Sequence, residues 1–266
     1  MDKAQVFAKK TGGAARDLGQ PERNYKGTFN ADISTHAVMD FMILETSLPL
    51  WFYSGVNHEI DEIQSAKKQQ DYSGYLVGQV TKGEQIYLDK EYCDPFHGVY
   101  GIAESMAMQY VHRFYAMQED SNIPYTAAHC YEAWVVDSYP GDYNPIHDHG
   151  KKTAAGLSFV FWTMVPENMR NAEAADLKGS SGQLDGCITF VNGPTLQTSH
   201  AELRTSKVLS LDPRPGRFVI FPHWLNHMVY PFSESLNSGQ PEFLRRSISG
   251  NIALLTEDQV VRDGES

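Results

Sequence analysis

A chain of 266 residues with 41% hydrophobic and 12% aromatic content can bury a substantial core, which sets it apart from disordered sequences. Its formal net charge of −11 argues against a charge-driven grip on nucleic acid or anionic membranes, both of which need basic surfaces. Cys93, Cys130 and Cys187 are widely spaced, without a Cys-x-x-Cys pair, so they offer neither a disulfide framework nor a structural zinc site.

The first ten residues hold no apolar leader run, and no stretch approaches 18 consecutive apolar residues. The expectation is a protein of a reducing intracellular compartment, cytoplasmic, with no membrane association and no nucleic-acid partner. Lys67-Lys68 and Lys151-Lys152 read as solvated surface.

Residues 1–35 contain Gly, Lys and Arg with little periodic hydrophobicity and read as an extended or partly ordered arm. The apolar, aromatic run 39–53 reads as a leading strand, since Pro49 bars a continuous helix. Asn57 is placed to cap a short helix over 58–68, with Ile60 and Ile63 inward. A longer helix is expected from Asp94-Pro95 to about Met117, with Ile102, Met106, Tyr110 and Phe114 at helical spacing.

From about residue 131 the pattern turns to β. Strand runs fall at 133–136, 157–165, 187–191, 207–211, 218–222 and 245–255, separated by Gly, Pro and Asn clusters. The run 157–165 is apolar on both faces, as befits a central strand, and 166–186 reads as a flexible insertion. The architecture is α+β but mainly β. It is one domain over 36–266, with helices and strands leading in over 36–125 and a β core over 130–255.

His147-Asp148-His149 is the most informative stretch. On a strand, side chains at i and i+2 leave one face about 6–7 Å apart, so two imidazoles can meet one metal while Asp148 points away. His227 follows far downstream, as it would if ligands came from distant strands of one barrel. His36, His58, His97, His112, His129 and His200 read as ordinary surface or packed residues. His223 reads as packed or lining a cavity rather than as a ligand. Trp134, Tyr139, Trp162 and Trp224 read as core or rim aromatics.

Over 244–252, Arg245, Ser247, Ser249 and Asn251 share one face of a strand, opposite Leu244, Ile248 and Ile252. An Arg in a cavity offers a carboxylate a bidentate fork, and a neighbouring Ser hydroxyl adds a bond.

These segments together, Gly141-Asp-Tyr-Asn-Pro-Ile-His-Asp-His-Gly150, Leu157-Ser-Phe-Val-Phe-Trp162, the run 216–231 and Arg245-Arg-Ser-Ile-Ser-Gly-Asn-Ile252, resemble the 2-oxoglutarate/Fe(II) oxygenase family common in marine bacteria and their phages, of the prolyl-hydroxylase-like superfamily. The similarity spans about 130–254. It implies a double-stranded β-helix, or jelly-roll, core over 130–255, with Fe(II) held by His147 and His227. It also implies 2-oxoglutarate chelating the iron, its far carboxylate on Arg245 and Ser247, and hydroxylation of a small-molecule or peptidyl substrate.

The wider superfamily uses two His and one carboxylate, with Asp or Glu at the position His149 occupies. Three readings follow. His149 is the third ligand, which period-two geometry favours. Or Asp148, the alternative ligand, swings in through a bulge. Or the carboxylate is missing and activity is weak or absent; Asp148 also suits an outer-shell partner to a ligand imidazole. Two further functional readings stand beside the oxygenase. One is a non-catalytic jelly-roll scaffold, virion-associated and with an assembly partner. The other is a cupin-like three-His metalloenzyme that does not use 2-oxoglutarate.

Overall fold

The computed structural model describes residues 32–38, 41–66, 70–75, 78–81, 83–89, 98–119, 122–150, 152–166, 169, 181–192, 208–233 and 244–264. Two antiparallel sheets carry the fold. The larger has seven strands in the order β1-β2-β9-β6-β11-β4-β3, and the smaller has four in the order β5-β10-β7-β8. In chain order these are β1 (Ile33–Val38), β2 (Phe41–Ser47), β3 (Gln85–Tyr87), β4 (Tyr125–Ser138), β5 (Asn144–His147), β6 (Gly156–Met164), β7 (Ile188–Val191), β8 (Val208–Leu211), β9 (Arg217–Pro222), β10 (Asn226–Val229) and β11 (Arg245–Thr256). Among the described residues three α-helices accompany them: α1 (Leu50–Ser65), α2 (Val99–Met117) and α3 (Glu257–Gly264). This is a jelly-roll-like sandwich, mainly β, with the two larger helices preceding the core in sequence.

Strand β6 shows how alternation builds the layers. It lies between β9 and β11, and both of its faces are covered. Leu157, Phe159 and Phe161 join Ile248, Ile252, Phe218 and Ile220 against Met106, Ala107 and Tyr110 of α2 and Phe52 and Ile60 of α1. Val160 and Trp162 leave the other face and meet Ile188, Phe190, Val219 and Phe221 between the two sheets. Burying each such large apolar side chain contributes roughly 1.5–3 kcal/mol. The helical layer and the inter-sheet layer therefore share one central strand, and the inter-sheet layer leaves room for the site.

Adjacent arginines serve opposite faces of β11. Arg246 is buried toward α1, where Nε and Nη2 bind the Asp137 carboxylate at 2.7 and 2.9 Å, Nη1 binds Asp61 at 2.7 Å, and Nη2 reaches Gln64. Arg245 turns the other way, into the space between the sheets.

Four expectations change here. The strand expected over 39–53 ends at Ser47, and Leu50–Tyr53 open α1. Pro49 caps that helix in an extended conformation (φ −71°, ψ 153°); its missing N–H costs nothing where no intrahelical partner exists. Asn57 lies inside α1 rather than at its start, and its Nδ2 donates to the Thr163 carbonyl at 3.0 Å. The last residues assigned to the arm, Ile33–Thr35, pair with Leu44–Thr46 as the start of β1, while residues 1–31 lie outside the described residues.

The start expected for α2 at Asp94-Pro95 also lies outside them; the described helix begins at Val99 after Gly98. Most of the insertion expected over 166–186 is outside them too. Its described end is packed, because buried Asp185 accepts hydrogen bonds from the Ser181 N–H and from the N–H and hydroxyl of Ser233. Met169 is buried beside Phe232.

Candidate metal centre

Strands β5 and β10 are hydrogen-bonded neighbours, and His147 is the register partner of His227. Their rings stand 4.3 Å apart between centroids. His149 lies just beyond the end of β5, not within the strand as its spacing suggests. Asp148 Oδ1 accepts the Gly150 N–H at 2.8 Å, and Gly150 adopts φ +67°, so the chain turns there. The His149 N–H then bonds the His223 carbonyl at 3.1 Å, which brings its ring alongside His147 at 5.7 Å, nearly parallel. His149 and His227 are 5.0 Å apart. One ligand atom from each of the three lies within 4.8 Å of the others.

The hydrogen bonds of these rings all run outward. His147 Nδ1 meets the Pro145 carbonyl at 2.7 Å, His227 Nδ1 meets the Leu225 carbonyl at 2.9 Å, and His149 Nδ1 meets Asn251 Oδ1 at 2.5 Å. A carbonyl oxygen only accepts, so each Nδ1 carries the proton and each Nε2 keeps a free lone pair. Burial holds the pKa of His149 down at about 4; the hydrogen bond to Asn251 opposes this, His147 adds to it, and Glu132 and Asp148 oppose it. Burial also holds the pKa of His227 well below its usual value, and the neighbouring His147 and His149 reinforce that, against the Leu225 carbonyl. Neutral imidazoles with inward lone pairs are what a divalent iron, zinc, copper or nickel ion requires.

All three histidines line a cavity of about 330 Å³ between the sheets. Arg245, Ser247, Ser249 and Asn251 form its β11 wall, Trp134 and Glu132 its β4 wall, and Trp162 lines it from β6. Arg245 is buried; its Nη1 donates to the Gly186 carbonyl at 3.1 Å, and its Nε has no partner. Its guanidinium sits over the Phe232 ring, and no carboxylate among the described residues forms an ion pair with it. Burial pushes its pKa down to about 10, against the pull of Asp142 and Cys187. An unpaired buried guanidinium is costly unless a ligand carboxylate completes it.

Asp148 is exposed, bonded to Gly150, and outside the group of three donors. His223 is buried in the turn after β9, close to Gly156, and is not in that group either. His58 and His129 pair with Glu62 and Glu104 at the surface. Lys152, read as solvated surface, is exposed but pairs with Glu132 at 2.8 Å. Asn251 stood on the polar face of β11 without a role in the sequence reading, and Ser158 and Glu132 were missed. For Asn251 the signal was its period-two spacing from Arg245. Glu132 carries no local signal, because its partner on β11 is 119 residues away.

Two antiparallel sheets of a jelly-roll-like sandwich thus enclose three histidines that could hold a metal ion and a buried arginine facing the same cavity. Residues 132–240, about two fifths of the chain, match the model of the family described as "Putative 2OG-Fe(II) oxygenase". A comparison with curated proteins finds no match.

Among solved structures, a Pseudomonas putida prolyl-4-hydroxylase is similar at 12% identity and a TM-score of 0.44, over 84% of this chain and 92% of its own. The viral collagen prolyl hydroxylase of Paramecium Bursaria Chlorella virus-1 is similar at 12% identity and 0.42, over 79% and 94%. HygX from Streptomyces hygroscopicus, solved with nickel and 2-oxoglutarate bound, is similar at 10% identity and 0.40, over 79% and 82%.

Proposed function

We propose that the protein is an Fe(II)- and 2-oxoglutarate-dependent dioxygenase that hydroxylates a C–H bond of a small-molecule or peptidyl substrate, through a single oxygenase-like domain over 36–266. His147, His149 and His227 hold the metal through Nε2, and Arg245 with Ser247 holds the far carboxylate of 2-oxoglutarate. One observation carries this reading: the three inward imidazoles and the unpaired Arg245 guanidinium open into the same cavity. Bound iron and cosubstrate would supply oxidation by dioxygen, one oxygen atom going to 2-oxoglutarate as it becomes succinate and CO2 and the other to the substrate C–H bond.

The residues supply the rest. The outward Nδ1 bonds orient the three rings before the metal arrives. Arg245 and Ser247 neutralise and position one end of the cosubstrate, while Trp162, Val160 and Phe221 keep water from the inner wall. A three-histidine set leaves the centre one unit more positive than two histidines and a carboxylate, which favours anionic 2-oxoglutarate as a chelating partner.

The test is anaerobic titration of the full chain with Fe(II) and 2-oxoglutarate. The expected result is a visible metal-to-ligand charge-transfer band that appears only when both are present. A protein that binds neither ends the proposal. Iron binding without a 2-oxoglutarate response would favour a three-histidine metalloenzyme that does not use the cosubstrate.

A further inference from the structure

Resting on the metal-site reading above, we infer that Asn251 is the positioning residue of His149, and that Glu132 sets the direction in which Asn251 works. Asn251 lies between a carboxylate and an imidazole, and its two ends are chemically different. Its Nδ2 donates to Glu132 Oε1 at 2.6 Å, a contact only the amide nitrogen can make because an ionised carboxylate has no proton to give. Its Oδ1 must then face the other way. There it accepts from the Ser158 hydroxyl at 2.7 Å and meets His149 Nδ1 at 2.5 Å.

An oxygen at that distance requires Nδ1 to be the protonated nitrogen. The Nε2 lone pair is thereby left for the cavity, where His147 and His227 place theirs. Glu132 is held in turn by the Lys152 ammonium at 2.8 and 3.0 Å. The polarity thus runs in one sense, from Lys152 through Glu132 and Asn251 to His149.

The other two histidines need no such device. His147 and His227 bond backbone carbonyls two residues away, at Pro145 and Leu225, so the local chain sets their tautomers. His149 lies past the end of β5; the shorter of its two Nδ1 contacts, at 2.5 Å, is to Asn251 on a strand 102 residues away, and the Ser158 hydroxyl, which itself donates to Asn251, lies at 3.0 Å. It is the one donor of the three whose orientation depends on side chains. It is also the donor at the position where the superfamily has a carboxylate. The Asn251–Glu132 pair places a carboxylate one amide beyond that imidazole, within the site's charge field but out of the metal's reach.

The experiment uses the full chain in two measurements. Long-range proton–nitrogen correlation on ¹⁵N-histidine-labelled metal-free protein reads each ring's tautomer, with the His149 signals assigned by their loss in His149→Ala. Anaerobic titration with Co(II) reads affinity and, from the visible absorption, coordination. Wild type is expected to show His149 protonated at Nδ1. Asn251→Leu is expected to lose that preference and weaken Co(II) binding by roughly 10–100-fold, the usual cost of an outer hydrogen-bond partner, with its far-UV circular dichroism unchanged.

Glu132→Gln combined with Asn251→Asp exchanges amide and carboxylate and keeps an acceptor on His149, so it is expected to restore both readouts. That rescue is foreign to a merely structural asparagine. If His149 carries its proton on Nε2 in wild type, or if Asn251→Leu folds and binds Co(II) with wild-type affinity, the inference is overturned. Should Asn251→Leu fail to fold, the wild-type tautomer and the exchanged double variant decide it. Wild type that binds no Co(II) would overturn the metal-site reading itself, an outcome distinct from intact binding that ignores Asn251.

Discussion

His147 and His227 are register partners across the β5–β10 ladder, their ring centroids 4.3 Å apart, although they lie 80 residues apart in the chain. Because the register holds both rings, neither has to move to meet a metal. His147→Ala and His227→Ala should each weaken Co(II) or Fe(II) binding by more than the roughly 10–100-fold that an outer partner is worth. His227→Ala should also lower thermal stability, since its buried ring packs on Phe221 at 4.9 Å, whereas half-buried His147 should cost less. Metal titration beside thermal melts of the metal-free proteins checks both.

Arg245 and Arg246 should separate function from stability. Arg245→Lys keeps a charge but loses the planar fork, and should raise the Kd for 2-oxoglutarate at least about tenfold. Arg245→Met removes an unpaired buried charge, so the ligand-free protein should melt at a higher temperature while losing 2-oxoglutarate affinity. Thermal shift with and without 2-oxoglutarate reads both effects.

Arg246→Met should do the reverse. It leaves the Asp137 carboxylate buried without its guanidinium, at a cost of about 3–5 kcal/mol. Metal and cosubstrate affinities of the folded fraction should stay close to wild type. Urea denaturation supplies the stability, and the binding titrations supply the control.

Acid should destabilise the metal-free protein through His149. Its pKa is held at about 4 in the native state against 6.5 when exposed. Above pH 6.5 the ring is neutral in both states and contributes no pH dependence. As pH falls from 6.5 toward 4, the unfolded chain takes up a proton that the native state refuses, and stability declines by up to about 3 kcal/mol. Below about 4 the ring is protonated in both states and its contribution stops changing. Denaturation midpoints at pH 7.5, 6, 5 and 4 should therefore fall in that order, and His149→Gln should flatten the decline.

Gly250→Ala should damage the central sheet rather than the site. A Cβ there would stand 2.5 Å from Phe159 Cε1 and 2.6 Å from the Glu132 carbonyl, closer than real side chains tolerate. Strands β4, β11 and β6 run side by side at this point, so the backbone carbonyl cannot retreat. The expected cost is roughly 1–3 kcal/mol, visible as a lower denaturation midpoint with an unchanged ligand set.

Much of this protein was legible locally. Period-two alternation in 244–252 predicted the polar wall of the cavity, and the two-faced apolar run 157–165 predicted the central strand, because which face a residue takes is a property of the strand itself. The same logic paired His147 with His149, whose rings do lie side by side, although His149 reaches that place through a turn past the end of β5 rather than along the strand. Local pattern was a poorer guide where one residue type serves two ends: Pro49 was read as a barrier to a helix and instead begins one.

The sequence alone determined the strand faces and the chemical identity of the donors. Only the tertiary structure decided which donors meet, that His149 takes its acceptor from Asn251, and that Glu132 stands behind it. It also decided that Arg245 is left unpaired while Arg246 is fully engaged. The reason is physical: a strand's own geometry sets the side on which each residue leaves, but the partner it meets depends on sheet register between segments roughly eighty to a hundred and twenty residues apart.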